Sequence, residues 1–266
     1  MKKYLFILVV LIGFSSCSEF QKALKSESVA EKFKLATVLF DDGKFAKANR
    51  LFVQIVPNYR GKPQAEKLMY MYSKSFYEMK DFYLAGYQFE RFVTSYPKSE
   101  KVEEAAYLSS KSYYLLCPVY TKDQEDTVDA IEKLQVFINT YPESDYIIEA
   151  NKMVKELDFK LEQKSFEIAK QYNTITDYKA SINSFNNFLL EYPGSALRED
   201  ALFFRMDSAY KLAVNSVEYK KQTRLNTAQN YLDSFIGSFP NSDKIKATKN
   251  MLQEVNNQLQ TYNTKS

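Results

Sequence analysis

The chain has 266 residues, of which 26% are charged and 15% are aromatic, with 21 Tyr, 20 Phe and no Trp. Its formal charge is +3, and its basic residues are interspersed with acidic ones, so the sequence carries no electrostatic footprint for nucleic acid. His is absent, which removes the commonest general base, the His-activated nucleophiles and the usual zinc and iron ligands. We therefore expect a non-enzymatic protein without catalytic residues, metal or cofactor.

Residues 1–16 have a basic start, a short apolar run and small residues before Cys17. This run is too short to span a bilayer and is typical of a secretory signal. The stretch Phe14-Ser15-Ser16-Cys17 resembles the bacterial lipobox, in which Cys becomes the lipidated first residue, although Phe14 stands where Leu is usual. We expect a lipidated Cys17 and a polar tether over residues 17–27. A simple signal peptide with an incidental Cys and a buried N-terminal helix are the alternatives.

One junction motif recurs along the chain: an aromatic residue, a short spacer, a second aromatic residue, Pro, any residue and Ser. Pro cannot continue a helix and Ser is placed to cap the next one, so each copy predicts a helix end and a helix start. Each Pro is preceded by a small residue at twelve positions, a large apolar residue at eight and Phe at five. The four copies are FERFVTSYPKS (89–99), FINTYPES (137–144), FLLEYPGS (188–195) and FIGSFPNS (235–242), with Phe92, Phe137, Phe188 and Phe235.

An earlier copy of the same frame has Ala48, Phe52 and Ile55, with Arg60 in the place of Pro. Five copies predict an all-α, tetratricopeptide-like helical-hairpin solenoid of about five repeats plus a C-terminal helix. We expect Phe92, Phe137, Phe188 and Phe235 to lie inside it. The helical pattern of residues 144–171 fits either one long helix or two short ones. The solenoid is expected over 28–266, with hairpins at 28–60, 64–97, 99–142, 144–193 and 195–240 and a final helix at 242–262.

The first helix of the second hairpin carries the candidate binding residues. Tyr70 and Tyr77 are seven residues apart and share a helix face, with lysines beside them. Such a face predicts a groove for an extended peptide with aromatic residues and a terminal carboxylate. The alternative is that the tyrosines pack between neighbouring helices. The candidate residues are Lys67, Tyr70, Lys74, Tyr77 and Glu78.

The lipoprotein signal, the five hairpins with F-x-x-x-[YF]-P-x-S junctions and the final helix together resemble the BamD (YfiO-type) outer-membrane assembly lipoproteins. The resemblance covers essentially the whole chain. It implies a non-enzymatic scaffold that is lipid-anchored at the periplasmic face of the outer membrane. Its implied partners are the POTRA domains of a BamA-like outer-membrane barrel and unfolded outer-membrane proteins, the former at the C-terminal repeats and the latter at the N-terminal ones.

Two other classes share helical hairpins. Cell-envelope or peptidoglycan adaptors of the CpoB (YbgF-like) type have the same junction motif, but they place a coiled coil before fewer repeats. Glycan-binding lipoproteins related to SusD are usually much larger and rely on Trp, which this sequence lacks. The adaptor is therefore the main alternative to the assembly scaffold.

Overall fold

The computed structural model describes residues 19–263, which form α-helices joined by turns, with one short 3-10 helix at Val56–Tyr59 and no strand within that range. Residues 1–18, with the predicted signal and Cys17, lie outside the described part, as do residues 264–266. The helices are α1 (Val29–Asp41), α2 (Phe45–Ile55), α3 (Ala65–Glu78), α4 (Phe82–Ser95), α5 (Val102–Leu116), α6 (Glu125–Thr140), α7 (Ile147–Thr174), α8 (Tyr178–Glu191), α9 (Arg198–Val214), α10 (Glu218–Ser238) and α11 (Ile245–Asn263).

The helices pair as antiparallel hairpins whose tight turns share one backbone device. Gly43, Lys80 and Thr176 each adopt a positive φ, between 61° and 72°, two residues after the last residue of a helix. In two of these turns the next residue is an Asp that caps the following helix: Asp81 accepts from the Leu84 amide and Asp177 from the Ala180 amide. The left-handed residue reverses the chain and the cap starts the second helix.

The described part of the chain divides into two compact units, residues 19–118 with 122–157 and residues 119–121 with 158–263. In the first unit each helix from α1 to α5 contacts the next, and the first helices of successive hairpins also touch, as α1 with α3 and α3 with α5. In the second unit α8 contacts α9, α9 contacts α10 and α10 contacts α11, while α9 also touches α11. Contact with both the next helix and the next hairpin is the packing of a tetratricopeptide-like array, so the predicted fold class is confirmed.

The Phe residues five positions before each junction Pro lie inside the core, as predicted. Phe92 and Phe188 are fully buried, and Phe137 and Phe235 are 2% exposed. The small residues seven positions earlier, such as Ala85 and Ala130, are also fully buried. Small residues let the helices approach closely enough for the rings to fill the space between them.

The junction serines differ from the prediction that they cap the next helix. Ser99 accepts a hydrogen bond from the amide of Lys101, two residues on, and donates to Glu66 at 2.6 Å. The cap position of α5 belongs to Lys101, whose side chain makes no capping bond. Ser242 repeats the arrangement with Glu199, also at 2.6 Å. Ser99 and Ser242 therefore form turns that tie their junctions to the preceding hairpin, because the helices begin two residues later than the motif suggests.

In two further segments the structure either differs from the expectation or decides between the alternatives. Residues 19–25, expected to belong to a polar tether, are helical, and Phe20 and Ala23 are buried against the first hairpin. Apolar residues at positions 20, 23 and 24 give this segment one apolar side, which is why it packs. The span 144–171, which fitted one helix or two, lies mostly in the single 28-residue helix α7.

Candidate functional site

The five residues predicted to form a peptide groove all lie on or at the end of α3. Lys67 and Glu78 are exposed, whereas Tyr70, Lys74 and Tyr77 are half-buried. The tyrosines are two helical turns apart and project from the same side. The structure thus places the predicted residues along one helix, with the rings partly inside and two charges in solvent.

Tyr70 is engaged at both ends of its side chain. Its ring packs against Phe89 and Phe92 of α4, at centroid distances of 6.2 and 5.7 Å. Its hydroxyl donates to a carboxylate oxygen of Glu104 in α5, 2.5 Å away. Lys74, one turn further along α3, donates to the same oxygen at 3.0 Å. The ring therefore belongs to the core and the hydroxyl to a polar cluster between successive hairpins.

The next hairpin repeats this cluster. The Tyr107 ring lies 5.7 Å from Phe137 and stacks on Tyr146 with a centroid distance of 4.1 Å. Lys111 donates to the Tyr107 hydroxyl at 3.1 Å and to Glu149 of α7 at 2.8 Å. We call the two clusters together the Tyr–Lys–Glu face of the first unit; it comprises Tyr70, Lys74, Glu104, Tyr107, Lys111 and Glu149.

Glu104 is held as a carboxylate by its neighbours. Burial by itself would raise the pKa of this carboxyl. Hydrogen bonds donated by Tyr70, Lys101 and Lys74 outweigh burial and lower the pKa to about 2. The same bond and burial raise the pKa of Tyr70 well above its ordinary value, with burial the larger cause. Glu104 is therefore anionic at neutral pH and cancels much of the positive charge beside it.

The second cluster is charged in the same way. Burial would lower the pKa of the Lys111 ammonium, but its hydrogen bonds to Glu149 and Tyr107 raise the pKa above its ordinary value. The pKa of Glu149 is lowered, first by the hydrogen bond from Lys111 and then by that from Tyr107. In both clusters a Lys–Glu ion pair is therefore hydrogen-bonded to a tyrosine hydroxyl. These contacts order the surface between successive hairpins.

Glu104 and Glu149 were missed by the sequence analysis, although their spacing carries a signal. Both stand seven residues after a junction Pro, Pro97 and Pro142 respectively. Tyr70 and Lys74 stand ten and fourteen residues after Arg60, and Tyr107 and Lys111 stand at the same distances after Pro97. Extending the repeat frame into the first helix of each hairpin would therefore have found the glutamates.

Tyr77 stands seventeen residues after its junction, as do Tyr114 and Tyr210 after theirs. The hydroxyls of Tyr114 and Tyr210 donate to Glu156 and Glu254, respectively, in the first helix that follows the next junction. The hydrogen bond to Glu156, together with burial, raises the pKa of Tyr114 to about 12. The hydroxyl of Tyr77, by contrast, makes no hydrogen bond within residues 19–263. Tyr77 is therefore the tyrosine at this repeat position that keeps its hydrogen-bonding capacity.

Within the described range, no group of three or more His, Cys, Asp or Glu side chains is arranged to hold a metal ion. None of the helices in this range combines the length and the apolar character needed to cross a membrane.

Comparison with known proteins points to one family. The sequence model of the YfiO family, described as outer membrane lipoprotein, matches residues 25–225. No curated protein sequence matches the chain significantly. Among solved structures, the TPR2AB domain of yeast Sti1, in a complex with pHSP90, has a TM-score of 0.37 and 13% identity, covering 86% of this chain and 98% of that one. Because the family match spans most of the sequence, the chain belongs to the YfiO family of outer membrane lipoproteins.

Proposed function

We propose that this protein is a lipid-anchored, non-catalytic scaffold subunit of the outer-membrane β-barrel assembly machinery. Membership of the YfiO outer membrane lipoprotein family carries the proposal. The helical hairpins support it, since such arrays present extended surfaces to protein partners rather than enclosed reaction sites. The partners are the POTRA domains of a BamA-like barrel and unfolded outer-membrane proteins, at the periplasmic face of the membrane.

A pull-down from mild detergent tests the proposal as a whole. We expect the tagged full-length chain to recover a large outer-membrane barrel protein with POTRA domains. Recovery of peptidoglycan-synthesis or cell-division proteins, without the barrel, would instead favour the cell-envelope adaptor. The same preparation, treated with a crosslinker before solubilisation, guards against loss of a weak complex in detergent.

The anchor of this scaffold is Cys17, whose lipid chains would hold the mature protein at the membrane. Burial of a lipid chain contributes about 0.8 kcal/mol per CH₂, and more than one chain makes the anchor stable. Metabolic labelling with an alkyne fatty acid is expected to label the wild-type chain and to leave Cys17→Ser unlabelled. A Cys17→Ser protein that still labels and still fractionates with the outer membrane would overturn the anchor.

Client binding is assigned to the side of α3 that carries Tyr77. Lys74 is already paired with Glu104 at 3.0 Å, so it does not offer an uncompensated charge. Lys67 is exposed, and the Tyr77 hydroxyl lacks a hydrogen-bond partner among residues 19–263. An exposed cation for a terminal carboxylate and an aromatic surface with an available hydroxyl suit an extended client segment. Tyr70, Lys74 and Glu78 flank this contact.

Docking of the barrel partner is assigned to α9, α10 and α11. In α11, Val255 is fully buried against the hairpin, while Gln253 and Asn257 are exposed. The outer side of this last helix is therefore polar, as expected for contact with a folded domain that keeps its own core.

One pair of experiments separates the two surfaces. A photo-crosslinker at Tyr77 is expected to capture client peptide, whereas one at Tyr114, which is bonded to Glu156, serves as the matched control at the same repeat position. Deletion from Asn241 onward is expected to release the barrel partner while the Tyr77 crosslink survives. The division of roles fails if the truncated chain retains the barrel or if client crosslinks map to the second unit.

A further inference from the structure

The N-terminal helix brings the folded body within a few residues of the predicted lipid site. Phe20 is 5% exposed, and it follows Cys17 by three residues in the sequence. Three extended residues span at most about 11 Å. A lipid on Cys17 would therefore hold the first hairpin next to the bilayer surface, without the long tether that the sequence suggested.

Residues 19–25 are attached firmly to this hairpin. Lys47 and Arg50 of α2 both lie over the Phe20 ring, with 5.6 Å between the cationic centre and the ring centroid in each case. Lys32 of α1 donates to the carbonyl of Leu24 at 3.5 Å. Residues 19–25 therefore keep a fixed position relative to α1 and α2 when the lipid anchors the chain.

The surface around this helix is basic. Lys22 and Lys25 are exposed and lie on the side of the helix opposite to its buried residues. Within residues 19–263, neither they nor Lys47 and Arg50 form an ion pair within 4.0 Å. These four cations, which we call the N-terminal basic cluster, are therefore available for an external anion.

The charge of the chain is polarised towards this end. Residues 19–62 hold nine Lys and Arg against five Asp and Glu, whereas residues 63–263 hold 24 against 28. A first hairpin with this surplus of positive charge is attracted to a negatively charged plane. The near-neutral total charge hides this polarity.

We propose that the N-terminal basic cluster binds the headgroups of anionic phospholipids in the leaflet that holds the Cys17 lipid. The inference rests on the lipid anchor in the proposed function. The lipid supplies attachment, while Lys22, Lys25, Lys47 and Arg50 set the first hairpin against the membrane surface. Each basic residue near an anionic surface strengthens binding by roughly fivefold.

Vesicle flotation of the mature chain with Cys17→Ser, which carries no lipid, tests the cluster by itself. We expect binding to phosphatidylcholine vesicles that contain phosphatidylglycerol, weaker binding as salt is raised, and little binding to phosphatidylcholine alone. The double variant Lys47→Gln/Arg50→Gln, and separately Lys22→Gln/Lys25→Gln, should each weaken binding by about 25-fold. The matched control is Lys220→Gln/Lys221→Gln in α10, which removes the same charge from the second unit and should leave binding unchanged. Circular dichroism verifies that every variant is folded.

The inference is overturned if phosphatidylglycerol makes no difference, or if the control pair weakens binding as much as the cluster variants do. It is also overturned if the cluster variants bind vesicles normally but lose the barrel partner in the pull-down, because the cluster would then be a protein interface. Fatty-acid labelling of the wild-type chain is read separately. If Cys17 is labelled but vesicle binding does not depend on phosphatidylglycerol, only this inference is overturned. If the wild-type chain is not labelled but vesicle binding depends on phosphatidylglycerol, the lipid anchor is overturned and the role of the basic cluster stands.

Discussion

The two units fill the same packing position with different aromatic residues. Ten residues after a junction, the first unit has Tyr107 and the second has Phe203. Both rings contact the Phe five positions before the next junction Pro, at 5.7 Å for Tyr107 with Phe137 and 5.8 Å for Phe203 with Phe235. Packing between helices therefore requires only a ring, and the hydroxyl is an addition made in the first unit.

The position fourteen residues after a junction differs even more. In the first unit it holds Lys111, which is paired with Glu149 at the surface. In the second unit it holds Asp207, which is 6% exposed and bonded to Asn173 at 2.9 Å and Lys211 at 2.7 Å. The second unit thus buries its charge in an internal network, whereas the first unit displays ion pairs in a row.

This difference teaches that a tyrosine of the repeat can serve packing and surface chemistry at once. Of the two interpretations that the sequence leaves open for Tyr70 and Tyr77, core packing describes the ring of Tyr70, while a binding surface at Tyr77 stays a prediction. Because the second unit achieves the packing with Phe, packing does not require the hydroxyls of Tyr70 and Tyr107, which are bonded to Glu104 and Lys111 instead. The Tyr–Lys–Glu face is therefore where we expect the first unit to be specialised.

The largest effect should come from the ring position that both units share. Phe92→Ala and Phe235→Ala are each expected to cost about 3–5 kcal/mol of unfolding free energy, since each removes a ring that fills a closed space. Hydrogen exchange should show lost protection mainly in the hairpins next to the substituted residue. Leu190→Ala, at a side chain that is 83% exposed, is the control in urea unfolding. A loss below about 1 kcal/mol at either Phe, or equal deprotection of both units, would contradict the shared packing role.

A smaller effect should isolate the hydroxyl that distinguishes the units. Tyr70→Phe keeps the ring and removes the hydrogen bond to Glu104, so we expect a loss of about 1.5 kcal/mol in urea unfolding. The reciprocal change Phe203→Tyr adds a hydroxyl to the second unit and should alter stability by less than about 0.5 kcal/mol. If Tyr70→Phe lowers the free energy of unfolding by as much as Phe203→Tyr raises it, the stabilisation by the hydroxyl does not depend on Glu104. The proposed difference between the two units would then be wrong.

The smallest effect concerns the charge of Glu104 and depends on pH. The pKa of this carboxyl is about 2, below its ordinary 4.5, so the ionised form stabilises the fold above pH 4.5. Glu104→Gln is expected to cost about 1 kcal/mol at pH 7, after allowance for solvent screening of a partly exposed group. The difference from wild type should shrink as the pH falls from about 4.5 towards 2, as followed by urea unfolding. Glu100→Gln, an exposed neighbour, is the control, and a pH-independent difference at Glu104 would contradict the ionic origin.

The amino-acid sequence by itself determined the hairpins and their interior. The signals in the repeat frame are local, because each acts within one or two helices. They are the Pro that ends a helix, the Phe five residues before it and the small residue seven residues before that Phe. Burial of Phe188 and Phe235 followed directly from this frame. The resemblance carried by the same motifs, together with the signal before Cys17, also led to the correct family.

The tertiary structure alone decided which polar groups meet. Tyr70 and Glu104 are 34 residues apart, and their 2.5 Å contact exists because α3 and α5 pack side by side. Likewise, Phe20 follows a polar stretch in the sequence, and its burial depends on the surface that α2 offers. Helix formation and burial follow from the local pattern of apolar residues, whereas the partners of surface charges depend on how successive hairpins stack.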